Sequence, residues 1–123
     1  VDLAGRKDLA MSGRKRVANR RHHEVIAIEH AGQRYKIGIG RELVCVERGQ
    51  LGPVAEIFVS AQQVNSTMDV VVSDGAILMS MLIQYGCPPE AIVKSMKHNS
   101  DGTPASPLGR AAALINEVTQ QGE

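Results

Sequence analysis

A chain of 123 residues, 43% hydrophobic and 22% charged, fits one soluble globular domain with a core of its own. Three aromatic residues, Tyr35, Phe58 and Tyr85, and no Trp leave that core to Val, Ile, Leu, Met and Ala, and argue against a stacking platform for single-stranded nucleic acid. The net charge of +1 divides unevenly: residues 1–21 carry seven Lys/Arg against two Asp, the rest seven against eleven Asp/Glu, so an arm of +5 precedes a body of −4.

Residues 1–23 read as a basic, flexible arm and residues 24–123 as a single domain. Within the arm, Arg14, Lys15, Arg16, Arg20 and Arg21 are the candidates for nucleic-acid phosphates. A solvated tail is the plainer reading, because Gly and Ala interrupt the charges and no basic face continues into the domain. Met11 followed by Ser-Gly-Arg-Lys-Arg suits a natural start, with Val1–Ala10 as a leader. Cys45 and Cys87 lie far apart without CxxC spacing, which suits reduced thiols in a cytoplasmic protein. No uninterrupted apolar run nears the ~18 residues that span a bilayer, so no membrane partner is expected.

From Glu24 the pattern turns to strands. "EVIAIEHAGQRYKIGIG" holds two β-rich runs about a turn at Ala31-Gly32-Gln33, with Tyr35, Ile37 and Ile39 on one face and Lys36, Gly38 and Gly40 on the other. The two glycines mark a bulge or a close backbone approach. "LVCV" continues this strand or forms a short one, with Cys45 in the core, and Arg48–Pro53 reads as a loop. "VAEIFVSA" is the third strand, alternating Ala55, Ile57 and Val59 against Glu56 and Phe58.

Helices follow. Ser66, with Asp69 three residues on, resembles a capping box that opens a helix over 67–85. That helix is apolar nearly all round, so burial on every side is expected, by the sheet and later helices or by a second subunit. Asp74 inside it calls for a partner such as Arg110, Lys94 or a backbone donor. Gly86 ends the helix, Pro88-Pro89 open the next, and Ser106-Pro107 open a third that runs to about Gln121. The expected fold is α+β: a three-stranded antiparallel meander, then three helices packed on one sheet face, in the order βββααα.

Little in the chain carries chemistry. Cys87 precedes a helix start, which can activate a thiol, but no His or carboxylate is tied to it by spacing, and a structural corner residue is the alternative. Thr103, Ser106 and Arg110 surround the start of the last helix and could hold an anion, or could form a tight capped loop. His22-His23 lack ligand partners at helical or strand spacing, so no metal is expected. "GIGRE" and "RGQLGP" match no phosphate or dinucleotide fingerprint, so no cofactor is expected.

"LIQYGCPPEAIV" resembles the Leu-Gln-Tyr-Gly-x-Pro-x-Glu segment of adenosylcobalamin-dependent (class II) ribonucleotide reductases, through Leu82, Gln84, Tyr85, Gly86, Pro88 and Glu90. "GPVAEIFVSA" is similar to the Gly-x-x-x-Glu-Ile-Phe strand before it, and the likeness covers roughly residues 33–115. Small proteins of this kind are grouped as TSCPD-domain proteins. Cys87-Pro88 echoes the Cys-Pro of that name, while its Ser and Asp are unmatched. The resemblance implies a compact α+β module that associates with itself or with a nucleotide-reducing enzyme, and the all-round apolar helix, "VVVSDGAILMSMLI", points to a homodimer. It does not imply catalysis, because those enzymes keep their radical thiols and cobalamin site on a much longer barrel, and residues 110–123 hold no cysteine pair. The alternatives are an accessory redox or nucleotide-binding component that uses Cys87, and a nucleic-acid-binding protein that uses the arm.

Overall fold

The computed structural model describes residues 13–14, 21–45 and 50–121. Among them the elements run β1 (Arg21–His30), β2 (Gln33–Cys45), β3 (Gln50–Ala61), α1 (Thr67–Gln84), α2 (Pro89–Ser95) and α3 (Pro107–Gln121). The strands pair antiparallel in sequence order, so the fold is the α+β, βββααα arrangement that the chain suggests.

Two strand boundaries differ from expectation. β1 begins at Arg21, three residues before the domain was expected to start, with Arg21, His22 and His23 opposite Glu42, Arg41 and Gly40. β3 begins at Gln50 and absorbs part of the expected loop. Its pairing there is irregular, with register shifts from Gly40 to Cys45, and Arg41 Nε donates to the carbonyl of Gly52 at 2.9 Å. A bulged edge of this kind tolerates Pro53, which has no N–H for a ladder.

The sheet's inner face supplies Tyr35, Ile37, Ile39, Val54, Ile57 and Val59 to the core. The helices close it with Val72, Ala76 and Met79 of α1, Ile92 of α2, and Ala111, Ala112 and Ile115 of α3. The outer face explains the glycines of β2. A Cβ on Gly40 would sit 2.7 Å from Cγ of Glu56, and one on Gly38 would meet Cβ of Phe58 at 3.5 Å. Cross-strand side chains from β3 therefore lie over the central strand. His23 Nε2 reaches Glu56 Oε1 at 3.3 Å across the bare backbone of Gly40.

α1 runs along the outer edge of β3 and bonds to it. Asp69 Oδ1 accepts from the Ala61 N–H at 2.8 Å, and Ser73 Oγ donates to the Val59 carbonyl at 3.1 Å. Ser80 Oγ both accepts from Ile57 N at 2.8 Å and donates to Ile57 O at 2.9 Å, while Gln84 Nε2 donates to Ala55 O at 3.0 Å. Positions 69, 73, 80 and 84 share one side of the helix. Their partners 61, 59, 57 and 55 are alternate residues of the strand, whose backbone groups all point outward. A polar helix stripe thus does the work of a fourth strand, and the edge is closed. Among the described residues, α1 is also long and apolar enough by length and composition to cross a membrane, unlike the expectation from uninterrupted runs. Its polar interruptions are what bind it to β3.

Candidate functional site

The helix expected to be buried on all sides is buried on one. Val72, Ala76 and Met79 face the core, whereas Val70, Val71, Ile77, Leu78, Leu82 and Tyr85 are between 39% and 63% exposed. The all-round apolar composition has a different cause: one side packs and hydrogen-bonds to β3, and the other is an apolar face open to solvent. Asp74 lies on that open side and is exposed, so the partner expected for it is unnecessary. At roughly half exposure each, the six side chains leave on the order of 600 Å² of apolar surface, at the top of the range for a monomer's largest patch.

α1 ends in a Schellman turn. Gly86 has φ 96°, its N–H donates to Ile83 O at 2.9 Å, and the Cys87 N–H donates to Leu82 O at 2.9 Å. Pro88 caps α2 and Pro89 is its first residue, so the corner forms as the residues indicate. Cys87 is half-buried against the core, and among the described residues its Sγ makes one hydrogen-bond contact, 3.8 Å to the Pro88 carbonyl. The two prolines lack the N–H groups through which a helix start steadies a thiolate.

Around this corner lies a cavity of about 450 Å³, walled by Val54, Ala55, Ile83, Pro88 and Pro89, with Glu42, Gln84 and Thr119 among its polar groups. Gly13 and Cys87 also line it, and no His is among the lining residues. Arg14 does not stand free: its Nε donates to Gln84 Oε1 at 2.5 Å. The last turn of α1 has no basic residue of its own, so Arg14 brings a cation to the negative end of that helix. The spacing of residues 14 and 84 in sequence conceals this contact. Of the other arm candidates, Lys15, Arg16 and Arg20 lie outside the described residues, and Arg21 opens β1.

The Thr103–Arg110 segment is a closed loop. Thr103 donates its hydroxyl to Asp101 Oδ1 at 2.6 Å and its N–H to the same oxygen at 3.0 Å. These bonds, the hydroxyl first, hold the Asp101 carboxyl below the usual carboxylate range. Ser106 Oγ accepts from Gly109 N at 3.0 Å as the cap of α3. Arg110 donates to the Glu29 carbonyl, and His30 Nε2 is 3.2 Å from Ala105 O. The three residues proposed for an anion are thus each engaged within the chain, Thr103 and Ser106 locally and Arg110 across the fold by Glu29. Among the described residues no group of three or more His, Cys, Asp or Glu is arranged to hold a metal ion.

No family model, curated protein or solved structure matches this chain.

Proposed function

We propose that this chain is a non-catalytic, TSCPD-like binding module of the cytoplasm that self-associates through the outer face of α1. The observation that carries this reading is the exposed row of Val71, Leu78, Leu82 and Tyr85 on the longest helix. These residues follow one another at intervals of seven, four and three residues, the spacing of a helix–helix seam. The patch approaches the ~800 Å² per partner of a stable interface. Kinship with the C-terminal domain of adenosylcobalamin-dependent ribonucleotide reductases is part of the proposal. The strand of Glu56, Ile57 and Phe58 and the Tyr85-Gly86 corner support it, because they stand in the order that the resemblance requires. A nucleotide-reducing enzyme is the corresponding heterologous partner.

Size-exclusion chromatography with light scattering at tens of micromolar tests the reading. An assembly larger than one chain is expected, and Leu78→Glu reduces its mass. A wild-type monomer at that concentration removes the proposal.

A second reading has its own observation, the cavity beside Cys87. In it the chain is an accessory redox or nucleotide-binding component that uses that thiol. It requires Cys87 to react with iodoacetamide at pH 6 faster than free cysteine does. A rate no higher than that of free cysteine sinks it.

A further inference from the structure

The sheet has two edges and the helices close only one. The edge of β3 is bonded to α1, as described above, whereas β1 is the other edge strand. The two-residue turn Ala31-Gly32, both with positive φ, makes His30 and Gln33 exchange backbone bonds. It follows that the even-numbered residues of β1 bond β2 and that the odd-numbered ones turn their N–H and C=O outward. Arg110 takes the carbonyl of Glu29. Among the described residues nothing bonds the outward groups of Val25 and Ala27, and both side chains are exposed.

This stretch has one usual protection of an edge, the inward-facing charge of Glu24, and lacks the others. Glu24–Ile28 contains no Pro, no Lys and no bulge, and pairs with β2 in unbroken register. On the inner side, Ile26 and Ile28 are only half-buried. They border a depression of about 240 Å³, lined also by Ile37, Pro104, Ala113 and Leu114 and by the charged Arg110 and Glu117, where the helix layer stops short of β1. Charge selects the occupant and its direction. β1 carries Glu24 toward one end and Glu29 at the other, so an antiparallel copy sets Glu29 across from His23 and keeps each glutamate away from its counterpart, whereas an in-register parallel copy would stack Glu24 on Glu24 and Glu29 on Glu29.

We propose that β1 pairs antiparallel with β1 of a second copy, joining two three-stranded sheets into one six-stranded sheet. Centred on Ile26, the pairing lets Val25 and Ala27 of each strand exchange backbone bonds with Ala27 and Val25 of the other. His23 then lies across from Glu29 of the second copy. The two-fold axis is perpendicular to the sheet, so both helix layers lie on the same side, Ile26 meets Ile26 of the other copy, and Ile28 lies across from Glu24. This contact is independent of the α1 face. A chain with both isologous contacts closes into four copies when the two axes cross at right angles.

Light scattering on four proteins separates the two contacts. The wild type is expected at four chains or more, Val25→Pro at two, Leu78→Glu at two, and the double variant at one. Proline at 25 removes an outward N–H and leaves the β1–β2 ladder intact. Val25→Pro with wild-type mass overturns the β1 pairing whatever Leu78→Glu does. Loss of mass in Val25→Pro alone upholds it while removing the α1 contact. Amide hydrogen exchange of the wild type gives a second readout that does not depend on a variant folding. Val25 and Ala27 are expected to be protected, with protection lost on dilution to single chains. Exchange at the open-edge rate in the undiluted assembly overturns the pairing and leaves the edge to a strand of another protein.

Discussion

Asp69 joins the sheet to the helices through three bonds. Its own N–H donates to Ser66 Oγ at 3.2 Å, while its carboxylate accepts from Asn65 N and Ala61 N, each at 2.8 Å. The Asn65 and Ala61 donors hold the carboxyl below its usual range, against a small opposing effect of burial. A carboxylate depressed in the folded state contributes stability that is present above its unfolded value of about 3.9 and is lost as pH falls through the folded value. Asp101 acts in the same direction. Thermal melts of wild type and Asp69→Asn should therefore differ at pH 7, with the variant less stable, and converge as the pH falls below about 4. A constant gap down to pH 2 would contradict this account. Gly40 has its role in what it leaves vacant. Gly40→Val forces Glu56 off the strand and away from His23. The expected loss is about 1–3 kcal/mol in chemical denaturation, the range for overpacking at a tight site.

At the scale of elements, α1 does three things with three sides. Its polar stripe closes β3, its small residue meets α3, and its apolar stripe faces outward. The second of these rests on Gly75, where a Cβ would lie 2.3 Å from Cδ1 of Leu108. Gly75→Leu should destabilise the fold by about 1–3 kcal/mol. Combining it with Leu108→Ala should recover part of that loss, a coupling that a double-mutant cycle measures directly. Additive losses would mean that the two helices do not meet there. The end of α1 gives a simpler expectation. Gly86→Ala places a Cβ in the left-handed region and should cost about 1 kcal/mol in equilibrium unfolding.

Much of this was legible in the order of residues. Ser66, Gly86, Pro89, Ser106 and Pro107 are local stop and start signals, and a local signal is complete within a few residues. The alternation Tyr35-Ile37-Ile39 named the core face of β2 for the same reason. The candidate sites were less legible. Arg14 looked like an exposed arm cation because its acceptor is 70 residues away, and Asp74 looked buried because composition does not tell which side of an apolar helix is covered. The Thr103–Arg110 groups looked convergent in sequence, and the fold gives each a separate partner.

For the molecule as a whole, the decisive quantity is how much apolar surface one chain can cover. Three strands and three helices bury Val72 to 1% exposure, yet leave Leu78, on the other side of the same helix, at 63%. A charge at each position should therefore have opposite effects. Leu78→Glu should change assembly mass while the folded chain's near-UV circular dichroism stays that of the wild type, because exposed substitutions move stability little. Val72→Glu should abolish folding, since it buries an unpaired carboxylate.

The amino-acid sequence by itself determined the element order, the caps, the hairpin and the inner face of the central strand. These depend on neighbours within one or two turns of chain. The tertiary structure alone decided that the polar stripe of α1 closes β3, that its apolar stripe is left in water, and that β1 stays open. The reason is that each outcome depends on which surfaces meet across tens of residues, and a pattern of residue types has no record of what lies opposite it.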